Sequence, residues 1–153
     1  MEELKAIKRY NWTKEQAQEF LDKCLLDVER TAPLMYKAKE IMDKLKKDGH
    51  KLFIITSRGL LTQDEVEVTI KRFKSEGLEF ENVVFSVHDK ASECKKLGID
   101  VMIEDYYDYA CGLAKSGIKC LYYRGSVLKQ INHPKVTEVR NWGDIWVEIN
   151  KMK

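Results

Sequence analysis

Three short polar stretches of the sequence each follow an apolar run and carry side chains that could hold a phosphate group and a metal ion. They are Thr56, Ser57 and Arg58 after the run that starts at residue 51, Lys90 after the run at 83–87, and Glu104 and Asp105 after the run at 101–103. Hydroxyl and backbone N–H groups bind phosphate oxygens, and paired carboxylates suit Mg²⁺. A lysine at the first position of a helix lies at the positive end of the helix dipole, which is unfavourable for a cation. Its presence there is easier to explain if an anion lies beside it.

Each of these stretches also has a purely structural interpretation. Thr56 and Ser57 fit an ordinary turn or helix cap, and Lys90 alone fits a surface lysine. One acid after residue 103 would suffice to cap the following helix. Adjacent carboxylates after a buried strand are costly, however, unless a cation or N–H donors lie nearby. The combination of a hydroxyl, a lysine and an acid pair at three successive strand ends is therefore a more specific indication of a phosphate and metal site than any one of these groups alone.

Helices and strands alternate along the sequence from residue 37 onward. Capping boxes at Thr13 and Thr62 predict two helix starts, and glycines predict several helix ends. The predicted helices lie at about 14–30, from about 36 to an end at Asp48-Gly49, from the cap at Thr62 to Gly77, and at about 90–97, 107–116 and 142–149. The predicted strands lie at 51–56, 83–87, 101–103, 119–123 and, as a short edge strand, 136–139. In the third helix, Val66, Ile70 and Phe73 are the predicted inner face. This alternation predicts a parallel sheet with crossover helices, in which ligands bind beyond the carboxyl ends of the strands.

Length and composition predict one globular domain that spans residues 1–153, with a helical cap-like segment at 1–35 and an α/β core at 36–153. Apolar residues make up 44% of the chain and charged residues 34%, which argues against disorder. The net charge of +2 does not indicate a nucleic-acid-binding surface. No apolar run approaches the ~20 residues of a membrane span. Four cysteines without a CxxC pair, and no signal peptide, predict reduced thiols and a cytoplasmic location.

The order of hydroxyl, lysine and acid pair resembles motifs II, III and IV of the haloacid dehalogenase (HAD) superfamily. The resemblance is carried by residues 49–58, 89–100 and 101–110, and it is nearest to the cytosolic type-C 5′-nucleotidase branch with its bacterial nucleotidase-like proteins. It covers roughly residues 13–150 and is strongest from 37 to 124. It implies a Rossmann-like parallel sheet with flanking helices.

The resemblance also implies a role for each polar residue. Thr56 corresponds to the phosphate-binding hydroxyl, with Ser57 beside it and Arg58 next. Lys90 corresponds to the lysine that neutralises the phosphate and the nucleophile. The acid pair binds Mg²⁺, through Asp105 with Glu104 as its partner. The implied reaction is hydrolysis of a small phosphomonoester, such as a nucleotide, through an aspartyl-phosphate.

The nucleophile motif of that superfamily, DxDxT at the end of a strand, is absent from this sequence. Residues 27–31 read as DxExT, but Asp27 lies within a pattern of helical period and is rejected as the nucleophile. In the resembled fold the corresponding strand lies between the strands that end at Thr56 and Glu104, so its loss predicts two unpaired strand edges. Truncation, a strand supplied by another chain or by a homodimer, and a rearranged fold are three explanations that the sequence leaves open.

The sequence is compatible with two hypotheses about function, one for an enzyme and one for a non-catalytic protein. The first is a HAD-like phosphohydrolase that is truncated or degenerate and inactive as this chain alone. The second is a non-catalytic HAD-like binding or assembly module that keeps the anion site. A receiver-like signalling domain is a third hypothesis that the sequence supports less well, because no phosphorylatable aspartate can be placed. Tyr106, Tyr107, Tyr122 and Tyr123 could stack on a base, although packing is the more common use of such residues.

Overall fold

The computed structural model describes residues 7, 9–125 and 129–153. The start of the predicted cap-like segment and residues 126–128 of the predicted loop at 124–134 lie outside the described residues. The chain divides into two compact units. The first combines the residues up to Pro33 with Ser57–Glu79, and the second combines Leu34–Thr56 with Phe80–Lys153.

Helices and strands follow one another in nearly the predicted order. They are α1 (Lys14–Lys23), α2 (Leu25–Thr31), α3 (Ala38–Lys47), β1 (Phe53–Ile55), α4 (Gln63–Glu76), β2 (Asn82–Val84), α5 (Lys90–Leu97), β3 (Val101–Glu104), α6 (Tyr107–Lys115), β4 (Lys119–Tyr123), β5 (Val136–Val139) and α7 (Trp142–Asn150). Both predicted capping boxes form, at Thr13 and at Thr62. Gly77 and Gly98 end their helices in the left-handed conformation, as predicted.

The first unit departs from the sequence prediction in two places. The single helix predicted at 14–30 is broken at Cys24, whose backbone leaves the helical conformation between α1 and α2. Asp27 lies in α2, which agrees with its rejection as a nucleophile. Ile70, predicted to face inward, is 42% exposed, whereas Glu65 and Thr69 of the same helix are buried.

Hydrogen bonds explain why α4 turns a polar face inward. The Glu65 carboxylate accepts the backbone N–H of Gly59, and the Thr69 hydroxyl accepts a hydrogen bond from Arg58. Arg72 on the same face donates to the backbone carbonyls of Arg30 and Ala32 at the end of α2. These contacts satisfy polar groups that would be costly to bury alone.

The second unit contains two parallel sheets. β1 pairs with β2, with Phe53 opposite Asn82 and Ile55 opposite Val84. The other sheet has the order β3-β4-β5, and β5 is an edge strand as predicted. The parallel α/β class is therefore confirmed. Among the described residues, β1 and β3 are edge strands of separate sheets, as expected from the resemblance.

Two apolar clusters cover the opposite faces of these strands. Side chains alternate between faces along a strand, so Cys120 and Tyr122 of β4 belong to one cluster and Leu121 to the other. The first cluster includes Cys94 of α5 with Ala110 and Leu113 of α6, and the second includes Ile41 and Leu45 of α3 with Ile145 and Ile149 of α7. The described part of the chain contains no helix long and apolar enough to cross a membrane.

Candidate functional site

Thr56 lies at the carboxyl end of β1 and is fixed there through its backbone. Its N–H donates to the carbonyl of Val84 at 3.0 Å, and its carbonyl accepts the N–H of Val87 at 2.9 Å. Ser86, one of the two residues between these partners, has a φ of +59°, a conformation that costs a non-glycine residue about 1 kcal/mol or more. This turn ends β2 and leads the chain toward Lys90.

Lys90 is the first residue of α5, and its ammonium group lies 2.6 Å from Oε2 of Glu104. The helix is capped by Asp89, whose carboxylate accepts the N–H of Ser92. The Lys90 side chain is 12% exposed and that of Glu104 is 3% exposed. The lysine and the first acid of the predicted site therefore form a buried ion pair across the ends of two elements.

Glu104, the last residue of β3, accepts three hydrogen bonds. Besides the ammonium of Lys90 at Oε2, Oε1 accepts the backbone N–H groups of Asp105 and Tyr106, each at 3.0 Å. Burial raises the pKa of the Glu104 carboxyl above its ordinary value, whereas Lys90 and the N–H of Tyr106 act in the opposite direction. These hydrogen-bond donors offset the free-energy cost of burying a carboxylate at the end of a strand.

Asp105 follows Glu104 and is exposed, so its carboxylate can reach solvent and ions. Within residues 7, 9–125 and 129–153, no three His, Cys, Asp or Glu side chains converge in the manner of an all-protein metal site. Mg²⁺ commonly uses one or two carboxylates and completes its shell with water and substrate oxygens. Asp105 fits that usage because it is exposed at the end of β3, and the two oxygens of Glu104 hold Lys90 and backbone N–H groups.

Tyr109 contacts Lys90, although no sequence pattern selects this tyrosine. The Lys90 nitrogen lies 4.4 Å from the centroid of the Tyr109 ring, within the range of a cation–π contact. The ring in turn packs edge-on against Tyr106 at 5.5 Å. A tyrosine four residues beyond Asp105 carries no sequence signal that distinguishes it from packing residues on α6.

Ser57 and Arg58, the other predicted phosphate ligands, belong to the first unit. Ser57 accepts the N–H of Leu60 through its backbone carbonyl. Arg58 donates to the hydroxyl of Thr69 at 2.9 Å, and its Nε lies 3.3 Å from the carboxylate of Glu29. These contacts give Arg58 a structural role within this unit, and its contact with phosphate stays a prediction.

The four tyrosines considered as base-stacking residues differ in accessibility. Tyr122 is fully buried in the first apolar cluster, which agrees with packing. Tyr107 lies under the ammonium of Lys129, 4.2 Å from the ring centroid. Tyr106 and Tyr123 are half-buried. His88, in the loop before α5, is exposed.

Two bacterial proteins are similar to this chain over most of its length. The "Nucleotidase CA_C3379" of Clostridium acetobutylicum is 24% identical over 143 residues, which are 90% of this chain and 70% of that protein. The "Putative nucleotidase YqfW" of Bacillus subtilis is 26% identical over 148 residues, which are 94% of this chain and 75% of that protein. A scan against models of protein families finds no match.

Two solved structures share the fold. A crystal structure described as a dehalogenase with an intermediate complex superposes with a TM-score of 0.63 at 15% identity, and a second dehalogenase structure superposes with a TM-score of 0.60 at 15% identity. Each match covers 94% of this chain and 67% of the other. The chain therefore has the fold of these HAD-like dehalogenases, and its sequence is similar to those of two proteins named as nucleotidases.

Proposed function

We propose that the second unit carries the phosphate- and magnesium-binding part of a HAD-like hydrolase, a phosphomonoesterase of nucleotidase type. The observation that carries the proposal is the buried Lys90–Glu104 pair, which lies beside the exposed carboxylate of Asp105 at the carboxyl end of β3. Parallel sheets bind ligands at this end. The names of the two relatives support a nucleotide as the substrate class.

Each residue has a distinct part in this proposal. The Thr56 hydroxyl binds a phosphate oxygen, and the Lys90 ammonium neutralises phosphate charge. Glu104 positions Lys90, because its two oxygens hold the ammonium and two backbone N–H groups. Asp105 is the residue that would hold Mg²⁺, and Mg²⁺ would supply further neutralisation of the phosphate charge.

We further propose that this chain alone does not catalyse hydrolysis. Covalent phosphoryl transfer needs a nucleophile aligned with the phosphorus atom, and no DxD sequence occurs in the 153 residues. The bound phosphate would therefore be held by Thr56 and Lys90 without being attacked. Cytoplasmic location is a further expectation from the sequence.

The test is a hydrolysis assay combined with a metal titration. The pure chain should release no phosphate above the blank from p-nitrophenyl phosphate or a nucleoside monophosphate in the presence of MgCl₂. Mg²⁺ should nevertheless bind, and Asp105→Asn should weaken binding at least tenfold, whereas Asp100→Asn, at the opposite end of β3, should not. Mg²⁺-dependent turnover would refute the proposed inactivity. Equal Mg²⁺ affinity of both variants would refute the role of Asp105.

A further inference from the structure

A closed cycle of contacts at the carboxyl end of β3 joins Lys90, Glu104, Tyr106 and Tyr109. The Lys90 ammonium lies 2.6 Å from Oε2 of Glu104 and 4.4 Å from the centroid of the Tyr109 ring. That ring packs edge-on against Tyr106 at 5.5 Å, and the backbone N–H of Tyr106 donates to Oε1 of Glu104 at 3.0 Å. The ammonium is therefore held by a charged group and by an aromatic group that are themselves connected.

Helix geometry explains why Lys90 and Tyr109 meet. Residues four apart lie on the same face of a helix, so Lys90 lies one turn before Cys94 in α5 and Tyr109 lies one turn before Leu113 in α6. Cys94 and Leu113 are fully buried in the first apolar cluster. The packing of both helices on this cluster brings their first turns together at the end of the sheet where ligands bind.

The Tyr109 ring and the Glu104 carboxylate act on the Lys90 ammonium in different ways. An ammonium has three N–H donors, and Glu104 accepts one of them. A tyrosine ring attracts a cation through its negative face but carries no charge. The ring therefore helps to keep water from Lys90, whose side chain is 12% exposed, without adding negative charge. A second carboxylate in its place would give the group a net negative charge, which would repel a phosphate.

Tyr106 restricts the Tyr109 ring in turn. The planes of the two rings meet at 69°, the edge-to-face arrangement that aromatic pairs favour, and both residues are half-buried. A free lysine side chain has many rotamers, and fixing it costs more conformational entropy than fixing most side chains. A lysine that is already fixed before a ligand arrives does not add this cost to binding.

We propose that Tyr109 is a positioning residue of the phosphate site. Its ring, restrained by Tyr106, holds the Lys90 ammonium against Glu104 and so directs an N–H of the lysine toward a phosphate oxygen before the ligand binds. Phosphate as the ligand of Lys90 is taken from the proposed function, on which this role of Tyr109 rests.

Stacking on a nucleobase is the competing role for the Tyr109 ring. A base stacks on the face of an aromatic ring, and Lys90 already covers one face of Tyr109. The two roles differ in the ligand that they affect. Positioning of Lys90 acts on the phosphate group alone, whereas stacking requires a base. Inorganic phosphate is therefore the ligand that separates them.

The test compares variants of the full chain in NMR titrations with inorganic phosphate in the presence of MgCl₂. Tyr109→Leu removes the ring and keeps an apolar side chain, and it should weaken phosphate binding about tenfold, the order of magnitude of a desolvated cation–π contact. Tyr109→Phe keeps the ring and should bind phosphate nearly as tightly as the unmodified chain. The matched control is Tyr36→Leu, which removes an 85% exposed ring beside Lys37 and should leave the affinity unchanged.

A spectroscopic signature separates positioning from a general loss of structure. In the unmodified chain without phosphate, the side-chain protons of Lys90 should show nuclear Overhauser contacts with the Tyr109 ring and the upfield shifts that an aromatic face produces. These signals should persist in Tyr109→Phe and disappear in Tyr109→Leu, while the remaining amide spectrum stays that of a folded chain. Their absence from the unmodified chain would overturn the proposal without any variant.

The titrations distinguish failure of this role from failure of the proposed function. Equal phosphate affinity of Tyr109→Leu and the unmodified chain would overturn the role of Tyr109 and leave the proposed function standing. Equal weakening by Tyr109→Phe or by Tyr36→Leu would do the same, and so would weakening seen only with a nucleoside monophosphate, which would indicate stacking. If the unmodified chain binds no phosphate, the proposed function fails, and the role of Tyr109 fails with it.

Discussion

The ion pair between Lys90 and Glu104 predicts a large and pH-dependent loss of stability when Lys90 is replaced by methionine. Methionine keeps most of the length of the side chain and removes the charge, so the buried Glu104 carboxylate loses its cation. Breaking a buried pair by removing one partner costs about 3–5 kcal/mol. The two backbone N–H groups remain on Glu104, so we expect the lower end, about 3 kcal/mol at pH 7.

The dependence on pH follows from the direction of the pKa shift. Burial raises the pKa of Glu104 in the folded state, and the loss of Lys90 removes an opposing influence and raises it further. A carboxyl whose pKa is higher in the folded than in the unfolded state stabilises the fold below the unfolded pKa and loses that contribution as the pH rises through the folded pKa. The stability deficit of Lys90→Met should therefore shrink from pH 7 toward the ordinary glutamate pKa of about 4.3.

Urea unfolding of the purified chain, followed by circular dichroism at several pH values, measures this effect. With an m value of about 2 kcal/mol/M, a loss of about 3 kcal/mol lowers the midpoint by about 1.5 M at pH 7. The matched control is Lys96→Met on the same helix, because Lys96 is 74% exposed and its pair with Glu93 should contribute little. A deficit below about 1 kcal/mol, or one that does not change with pH, would refute the assignment of a buried ion pair.

Two further predictions concern buried groups near the same sheet. The Tyr122 hydroxyl is buried without a hydrogen-bond partner among the described residues, so Tyr122→Phe should raise stability by about 1 kcal/mol in urea unfolding; a loss of stability would show that the hydroxyl is hydrogen-bonded. Burial raises the pKa of Cys94 to about 11 and that of Cys120 to about 12, so an aromatic disulfide reagent at pH 8 should modify exposed Cys24 first and these two only as the protein unfolds. Reaction of Cys94 or Cys120 at the rate of Cys24 would contradict this expectation.

Local signals predicted most of the secondary structure, because they act within a few residues of the chain. Each of these signals involves only the few residues of one helix end. The capping boxes form as predicted at Thr13 and Thr62, and Gly77 and Gly98 end their helices in the left-handed conformation. The break at Cys24 was missed because the apolar periodicity continues across it. Strand ends were misplaced for a similar reason: β2 ends at Val84, short of the apolar run, before the left-handed Ser86.

Tertiary contacts decided the features that the sequence could not predict. Ile70 is exposed because Glu65, Thr69 and Arg72 on the other face of α4 satisfy polar groups elsewhere in the first unit. Lys90 and Glu104 were selected separately as strand-end residues, but their pairing depends on a fold that brings residues 14 positions apart together. The contact of Tyr109 with Lys90 has no sequence signature, because an aromatic residue on a helix most often packs in the core.

We propose that Thr56, Lys90 and Asp105 form a phosphate site in the second unit. The most direct measurement is an NMR titration of the ¹⁵N-labelled chain with inorganic phosphate in the presence of MgCl₂. The amide signals of these three residues should shift together and saturably, Thr56→Ser should retain the shifts, and Thr56→Val should abolish them. Absence of saturable shifts at these residues, or shifts unaffected by Thr56→Val, would contradict the claim.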